Sequence, residues 1–160
     1  MTGIEDFNGY EVLQAAMEVE KGGQKFYTEM ANRAESGSVR KLFALLAQDE
    51  VQHLRTLKDL IPQFDAGNFW QDEELILPYL NRFKAYELFP SLTQLEVILQ
   101  QENADKSALN LAIEAEDKFA AYFKFTAEQA RSAEGRETFH WLSKEEDRHA
   151  AILRERLEQM

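Results

Sequence analysis

The sequence predicts an all-α protein in which two antiparallel helical hairpins form one four-helix bundle. Three observations support this: four segments carry apolar residues at helical spacing, helix-breaking residues are scarce, and the two halves of the chain repeat each other. Only seven glycines and three prolines occur in 160 residues, while good helix formers such as Ala, Leu, Glu, Lys and Gln are abundant. A chain of this length can bury its own core, so we expect a single domain over residues 1–160.

Each hairpin consists of two segments whose apolar residues recur three or four positions apart, the period of a helix with one buried face. The first hairpin is predicted over about residues 8–61, with helices at 10–35 and 38–61. The second is predicted over about 105–158, with helices at 105–131 and 136–157. The turns between the paired helices are only a few residues long, which makes those helices antiparallel neighbours.

The hairpins are joined by a long crossover, residues 62–104, which we predict to be partly helical. Ser91 and Gln94 have the spacing of a capping box, so a helix should start near Leu92. With seven aromatic residues, the crossover is unlike a disordered linker. That number is also larger than is needed to cover the surface of two packed hairpins. We therefore expect an intermolecular contact here, most simply in a homodimer. The seven are Phe64, Phe69, Trp70, Tyr79, Phe83, Tyr86 and Phe89.

The hairpins are also copies of each other. A shift of 96 positions, without a gap, superimposes identical residues along both helices of each hairpin. An ungapped match of this length, which includes both His53 and His149, indicates an internal duplication. Among the matched pairs are Leu13 and Leu109, Glu20 and Glu116, Arg40 and Arg136, Phe43 and Phe139, Glu50 and Glu146, and His53 and His149.

Composition excludes several classes of function. The formal net charge is -11 and no run of cationic residues is present, which argues against a nucleic-acid binder. The charge favours cationic partners, although a merely solubilising surface fits equally well. Cysteine is absent, which excludes disulfides, thiolate nucleophiles and Cys-ligated metals. No stretch approaches the roughly 18 apolar residues of a membrane span. We expect a cytoplasmic protein with no membrane partner.

Four glutamates lie on the apolar stripes of the predicted helices: Glu20, Glu50, Glu116 and Glu146. A buried carboxylate without a partner costs several kcal/mol, so such groups are protonated, paired with cations or bound to metal. Each hairpin adds a Glu-x-x-His motif, with His53 after Glu50 and His149 after Glu146. Residues three apart share a helix face, so these six side chains are candidate ligands for two metal ions bridged by carboxylates.

These residues resemble the rubrerythrin-like branch of the ferritin-like superfamily. The resemblance covers both hairpins and rests on Glu20 followed at +7 by Tyr27, Glu116 followed at +6 by Tyr122, and the segments 47–53 and 144–149. It implies a ferritin-like fold and two iron ions, although manganese or zinc would accept the same ligands. It also implies that Glu50 and Glu146 bridge the metals, that Glu20 and Glu116 are terminal ligands, and that His53 and His149 each hold one ion.

Two features depart from rubrerythrins proper: Phe119 stands where that family has a further glutamate, and no Cys-ligated iron domain is present. We expect a redox protein that reacts with peroxide or dioxygen. A ferroxidase or iron-handling protein and a non-catalytic metal-binding module are the alternatives. Because the chain has no flavin, nicotinamide, haem or dithiol motif, turnover should require an external electron-donor protein.

Residues next to the candidate ligands have more than one interpretation. Tyr27 fits a hydrogen-bond donor to the site and an ordinary core aromatic equally well. Asp49 and Glu145 precede the bridging glutamates, and we predict both to be solvated surface carboxylates rather than groups that orient a histidine. His140 lies outside the pattern and is predicted to be a surface histidine or a hydrogen-bonded one rather than a ligand.

Overall fold

The structure, a computed structural model, describes residues 9–65, 69–84 and 88–160. Helices make up most of this part of the chain, and the prediction of an all-α fold is confirmed. In order they are α1 (Tyr10–Arg33), α2 (Gly37–Lys58), α3 (Ile61–Asp65), α4 (Glu73–Lys84), α5 (Leu92–Leu99), α6 (Ala104–Gln129) and α7 (Ala133–Glu158). None of these helices is long and apolar enough to cross a membrane.

Helices α1 and α2 form one antiparallel hairpin and α6 and α7 form the other. The two turns are built alike. The Arg40 guanidinium donates hydrogen bonds to the carbonyls of Ala34 (2.8 Å) and Glu35 (2.9 Å). The Arg136 guanidinium donates to the carbonyls of Ala130 (3.3 Å) and Arg131 (2.5 Å), which lie 96 positions further along the chain. The duplication seen in the sequence is therefore repeated in the contacts that close each hairpin.

Asp105, at the start of α6, ties the second hairpin to the first. Its two carboxylate oxygens accept hydrogen bonds from the backbone N–H groups of Glu35 (3.0 Å) and Ser36 (2.9 Å). Ser36 is the residue before α2, where the helix leaves N–H groups without partners of their own. Asp105 is buried, so this contact fixes the relative position of the hairpins at one end of the bundle.

The apolar core is divided into two clusters along the bundle. One contains the start of α1, the end of α2 and the facing parts of α6 and α7, with Leu13, Leu57, Phe123 and Phe139 among its members. The other contains the opposite ends of the same helices, with Tyr27, Phe43, Leu109 and Leu153 among its members. Along each of the four helices, the candidate ligands lie between the residues of one cluster and those of the other. The site therefore occupies the middle of the bundle and is covered by apolar side chains at both ends.

The crossover packs on its own bundle. Phe69, Trp70 and Phe83 are buried, and Tyr79 and Phe89 are partly buried. The Trp70 ring lies 5.7 Å from that of Phe139 and the Phe83 ring 3.7 Å from that of Tyr122. These aromatic residues are therefore used within one chain and do not by themselves require a second copy, so the homodimer stays a prediction. The Phe64 side chain and Tyr86 lie outside the described part.

The predicted helix near Leu92 is confirmed as α5. The Ser91 hydroxyl accepts a hydrogen bond from the Gln94 backbone N–H (3.2 Å), and the Gln94 side chain accepts one from the Ser91 N–H (2.8 Å). This reciprocal pair is the capping box that the spacing indicated.

Candidate metal centre

Six buried side chains from four helices meet in the middle of the bundle. They form two groups, in each of which one ligand atom per residue lies within 4.8 Å of the others. Each of the six is at most 1% exposed. One group comprises Glu20, Glu50, His53 and Glu146, and the other comprises Glu50, Glu116, Glu146 and His149. All six predicted residues are thus brought together, and Glu50 and Glu146 belong to both groups.

The first group is arranged around Nδ1 of His53. Oε1 of Glu146 lies 2.8 Å from this nitrogen, Oε1 of Glu20 lies 3.5 Å from it, and Oε2 of Glu50 lies 4.0 Å from it. None of these contacts has hydrogen-bond geometry, so Nδ1 and these carboxylate oxygens have no hydrogen-bond partners. The lone pairs therefore face a common space.

The second group is arranged around Nδ1 of His149. Oε1 of Glu50 and Oε1 of Glu116 each lie 3.4 Å from this nitrogen, and Oε2 of Glu146 lies 3.6 Å from it. Glu50 and Glu146 present one oxygen to each histidine. The imidazole rings stack 5.2 Å apart. The two groups are therefore neighbours that share two carboxylates, an arrangement suited to a dinuclear metal site.

Buried polar atoms without hydrogen-bond partners are concentrated at this site. Nine such side-chain atoms occur in the described part of the chain, and all of them belong to Glu20, Glu50, His53, Glu116 and Glu146. Buried polar groups in native proteins are almost always hydrogen-bonded, since each group without a partner costs about 1–3 kcal/mol or more. Eight of these atoms, all except the outer Nε2 of His53, fit a pair of cations, whose coordination would satisfy them.

In the metal-free protein the site binds protons strongly. Burial, reinforced by the charge of Glu146, raises the pKa of the Glu50 carboxyl to about 7 and holds the pKa of Glu116 well above its usual value. Burial would also raise the pKa of Glu146, but the close approach of Glu116, His149 and His53 outweighs it and lowers that pKa. Burial opposes protonation of both histidines, yet the surrounding carboxylates raise the pKa of each.

The outer nitrogen of each histidine faces a carboxylate from the opposite hairpin. Nε2 of His149 lies 3.1 Å from Oδ2 of Asp49, and Nε2 of His53 lies 3.6 Å from Oε1 of Glu145. Arg148 joins the two carboxylates, at 2.9 Å from each. The prediction that Asp49 and Glu145 are solvated surface groups is wrong, because the packing of α2 against α7 turns them onto the histidines. The hydrogen-bond contact with Asp49 favours a proton on Nε2 of His149, which directs Nδ1 of that ring towards the metal site. Glu145 faces Nε2 of His53 at a distance beyond that of a hydrogen bond.

Tyr27 is a hydrogen-bond donor to the site. Its hydroxyl donates to Oε1 of Glu116 at 2.5 Å, and the side chain is fully buried. Burial and the charge of Glu116 raise the pKa of the Tyr27 phenol well above its usual value, so the group stays protonated. The partner is the glutamate of the other hairpin rather than the nearby Glu20.

Trp141 forms part of the outer wall of the site, a position that no sequence pattern indicated. Its ring stands edge-on to the His53 imidazole with 5.7 Å between the centroids, while 45% of the residue is exposed. His140, its neighbour, is exposed on α7 as predicted. Glu18 and Glu114 are also exposed, which agrees with their assignment to polar faces.

The fold and the two buried groups define a ferritin-like helical bundle with a site suited to two metal ions. A family model described as Rubrerythrin matches residues 11–105, which is more than half of the chain. The chain therefore belongs to the rubrerythrin family. No curated protein matches it significantly.

Two solved structures resemble the whole bundle. A DUF305 fragment from Deinococcus radiodurans is 12% identical, with a TM-score of 0.69 over 94% of this chain and 97% of that one. A hypothetical protein from Pyrococcus furiosus is 18% identical, with a TM-score of 0.64 over 99% of this chain and 95% of that one. At these identities the likeness concerns the fold alone.

Proposed function

We propose that this chain is a non-haem di-iron protein that reduces peroxide or dioxygen with electrons from an external donor. The observation that carries the proposal is the set of nine buried, unpartnered donor atoms on Glu and His side chains at the centre of the bundle. Two divalent cations balance the charge of four ionised glutamates, which removes the cost of burying them. Carboxylate and imidazole ligands suit iron and manganese, and zinc accepts them as well.

The ligand roles follow from the two groups of residues. Glu50 and Glu146 are the proposed bridging ligands, because each presents one oxygen to either histidine. Glu20 and Glu116 are proposed as terminal ligands, since each belongs to one group only. His53 and His149 would each bind one ion through Nδ1.

Iron at this site would supply reversible one-electron oxidation of each ion. The chain's own residues provide the surroundings of that chemistry. The apolar clusters at both ends exclude bulk water, which limits the release of reactive oxygen species. Asp49 holds the His149 ring in place through Nε2, and Glu145 lies beside Nε2 of His53. The Tyr27 hydroxyl keeps a proton at Oε1 of Glu116, where it is available to a reduced oxygen product.

Two alternatives use the same ligands. A ferroxidase would oxidise ferrous iron as its substrate and pass it to storage. A non-catalytic module would use the ions only to brace the bundle. The buried tyrosine donor beside Glu116 favours a reactive site, because a structural metal does not need a proton source at a ligand oxygen.

Anaerobic loading with ferrous iron, followed by stopped-flow mixing with hydrogen peroxide, tests the proposal. Oxidation of the bound iron much faster than that of free iron in the same buffer, with absorption of an oxo-bridged ferric pair, is the expected result. Oxidation no faster than that of free iron would indicate a bracing role. Release of ferric iron with uptake of further ferrous iron would indicate a ferroxidase.

A further inference from the structure

The two halves of the bundle differ at one position beside the site. Gly23 in α1 and Phe119 in α6 are 96 positions apart and are equivalent in the duplication. Phe119 is fully buried, and its ring packs 4.3 Å from that of Phe123. Gly23 has no side chain to fill the matching space, so the first hairpin lacks the aromatic wall that α6 supplies to the second.

Phe89 supplies the missing wall from outside the bundle. A Cβ atom added at Gly23 would lie 3.0 Å from the Phe89 ring and 3.5 Å from the carboxyl carbon of Glu50. The gap between the ring and this candidate ligand is therefore slightly narrower than one methyl group, and the ring would have to move by a few tenths of an ångström to admit one. The ring also packs on Phe26 (5.8 Å) and on Tyr27 (5.5 Å), the donor to Glu116.

The outer side of Phe89 borders two surface cavities. One has a volume of about 410 Å³ and is lined by Ala15, Val19 and Leu88 among others, and the second has about 470 Å³. Gly22 and Phe89 line both cavities. A single aromatic ring thus has surface cavities on one side and the space beside Glu50 on the other.

Phe89 lies between α4 and α5, outside any helix. Phe89 is only partly buried, so its ring has room to move, whereas the Phe119 ring is fully buried among its neighbours. The adjacent glycines of α1 weaken that helix, since each glycine in a helix interior costs about 0.5–1 kcal/mol relative to alanine. The missing side chains thus leave space at a cost to helix stability.

We propose that the space at Gly23 is the route by which small oxidants reach the site, and that Phe89 is the residue that restricts their size. This rests on the proposed function only in taking the site to react with an external oxidant. Hydrogen peroxide and dioxygen are small enough to pass a displaced phenyl ring. Hydroperoxides with bulky substituents are excluded while the ring is in place.

Neighbouring glycines offer a matched pair of variants. In Gly23→Ala the new methyl group occupies the gap and shifts the Phe89 ring by a few tenths of an ångström, whereas in Gly22→Ala it lies 3.9 Å from Cβ of Phe89, an ordinary contact. Both changes improve helix propensity equally. We expect Gly23→Ala to slow azide association with the cobalt-loaded protein by roughly tenfold or more, a barrier higher by about 1.4 kcal/mol. Gly22→Ala should stay within about twofold of the wild type.

A second comparison uses the iron-loaded protein and two oxidants. Phe89→Ala should raise the oxidation rate with cumene hydroperoxide by roughly tenfold more than the rate with hydrogen peroxide. Leu88→Ala, which enlarges the same cavity without touching Gly23, should leave the ratio of the two rates unchanged. A purely structural role for Phe89 would change both rates by the same factor.

The outcomes separate this inference from the proposed function. If ferrous protein does not react with either oxidant, the proposed function fails, while the azide comparison still tests the route. Equal azide rates in Gly23→Ala and Gly22→Ala, at two metals per chain in both, would overturn the route. An unchanged ratio of oxidant rates in Phe89→Ala would overturn the role of the ring, even if Gly23→Ala does not fold.

Discussion

Asp49 of α2 and His149 of α7 are joined across the two hairpins, with Oδ2 of the carboxylate 3.1 Å from Nε2 of the ring. Glu145 of α7 and His53 of α2 form the equivalent pair with the helices exchanged, and Oε1 of Glu145 lies 3.6 Å from Nε2 of His53. Each histidine therefore faces a carboxylate of the hairpin to which it does not belong. A side chain that positions the ligands in this way should affect metal binding without contacting the metal.

Removing these carboxylates should weaken metal binding. We expect Asp49→Ala and Glu145→Ala each to lower affinity by about 10–100-fold, because the histidine loses the acceptor that fixes its ring and tautomer. Competition with a chelator measures the change. The control is Asp147→Ala, which removes an exposed carboxylate from the same helix as Glu145. If Asp147→Ala lowers affinity as much, the effect is one of general surface charge.

The Tyr27 hydroxyl should matter to the reaction rather than only to folding. Tyr27→Phe removes the donor to Glu116, and we expect slower oxidation of bound iron by about tenfold with two metals still bound. Tyr122→Phe is the matched control, because its equally buried hydroxyl donates to the Val12 carbonyl instead. That change should cost about 1 kcal/mol of stability and leave the rate unchanged. Equal rates in the two variants would argue against a proton-donating role.

The metal-free protein should be less stable at alkaline pH. The pKa of Glu50 rises from 4.5 to about 7 on folding, so the folded state holds the extra proton within this range. The pKa of His149 is also raised, so at pH values above the ordinary histidine pKa this group lowers the stability in the same direction as pH rises. The free energy of unfolding should therefore fall as pH rises from 5.5 to 8, and Glu50 accounts for about 2 kcal/mol of that decrease.

Urea titrations in the presence of a chelator measure this dependence. Glu50→Gln keeps the shape of the side chain without a titrating proton and should flatten the pH profile. Glu18→Gln, at an exposed position, should leave it unchanged. A profile of the same slope in Glu50→Gln and in the wild type would show that Glu50 is not the group responsible.

Repeated turnover should need a donor protein. Mixing iron-loaded protein with excess peroxide and NAD(P)H should give sustained consumption only when a rubredoxin-like protein and its reductase are added. Because the net charge is -11, a basic donor would be attracted at long range, and the reduction rate should fall as salt shortens the Debye length below about 10 Å. Turnover with NAD(P)H alone would contradict this prediction.

The sequence is sufficient to predict the four bundle helices, the helix near Leu92 and the six clustered side chains, but not α3 or α4. Helical spacing places Glu50 and His53 on one face, and the repeat of 96 positions places Glu146 and His149 likewise. Burial of four carboxylates on apolar stripes then has few physical explanations. These inferences depend only on the local geometry of a helix and on the duplication.

Contacts that depend on how helices pack could not be predicted in the same way. Asp49 and His149 are 100 positions apart, and Tyr27 and Glu116 are 89 apart. Helical spacing shows which face a residue occupies but not its partner on another helix. The available signal for Asp49 and Glu145 is their equivalent position in the repeat, which exposed carboxylates would show as well. Likewise, aromatic composition could not distinguish packing of the crossover on its own bundle from packing on a second chain.

Metal stoichiometry of the bridging-ligand variants tests the central claim most directly. Wild-type protein reconstituted anaerobically and analysed by mass spectrometry of the metal should contain two ions per chain. Glu50→Ala and Glu146→Ala should each lose most of both ions, because each carboxylate belongs to both groups. Glu18→Ala and Glu114→Ala, at exposed positions, should keep two. Two ions bound at wild-type affinity in either bridging variant would contradict the shared, dinuclear site.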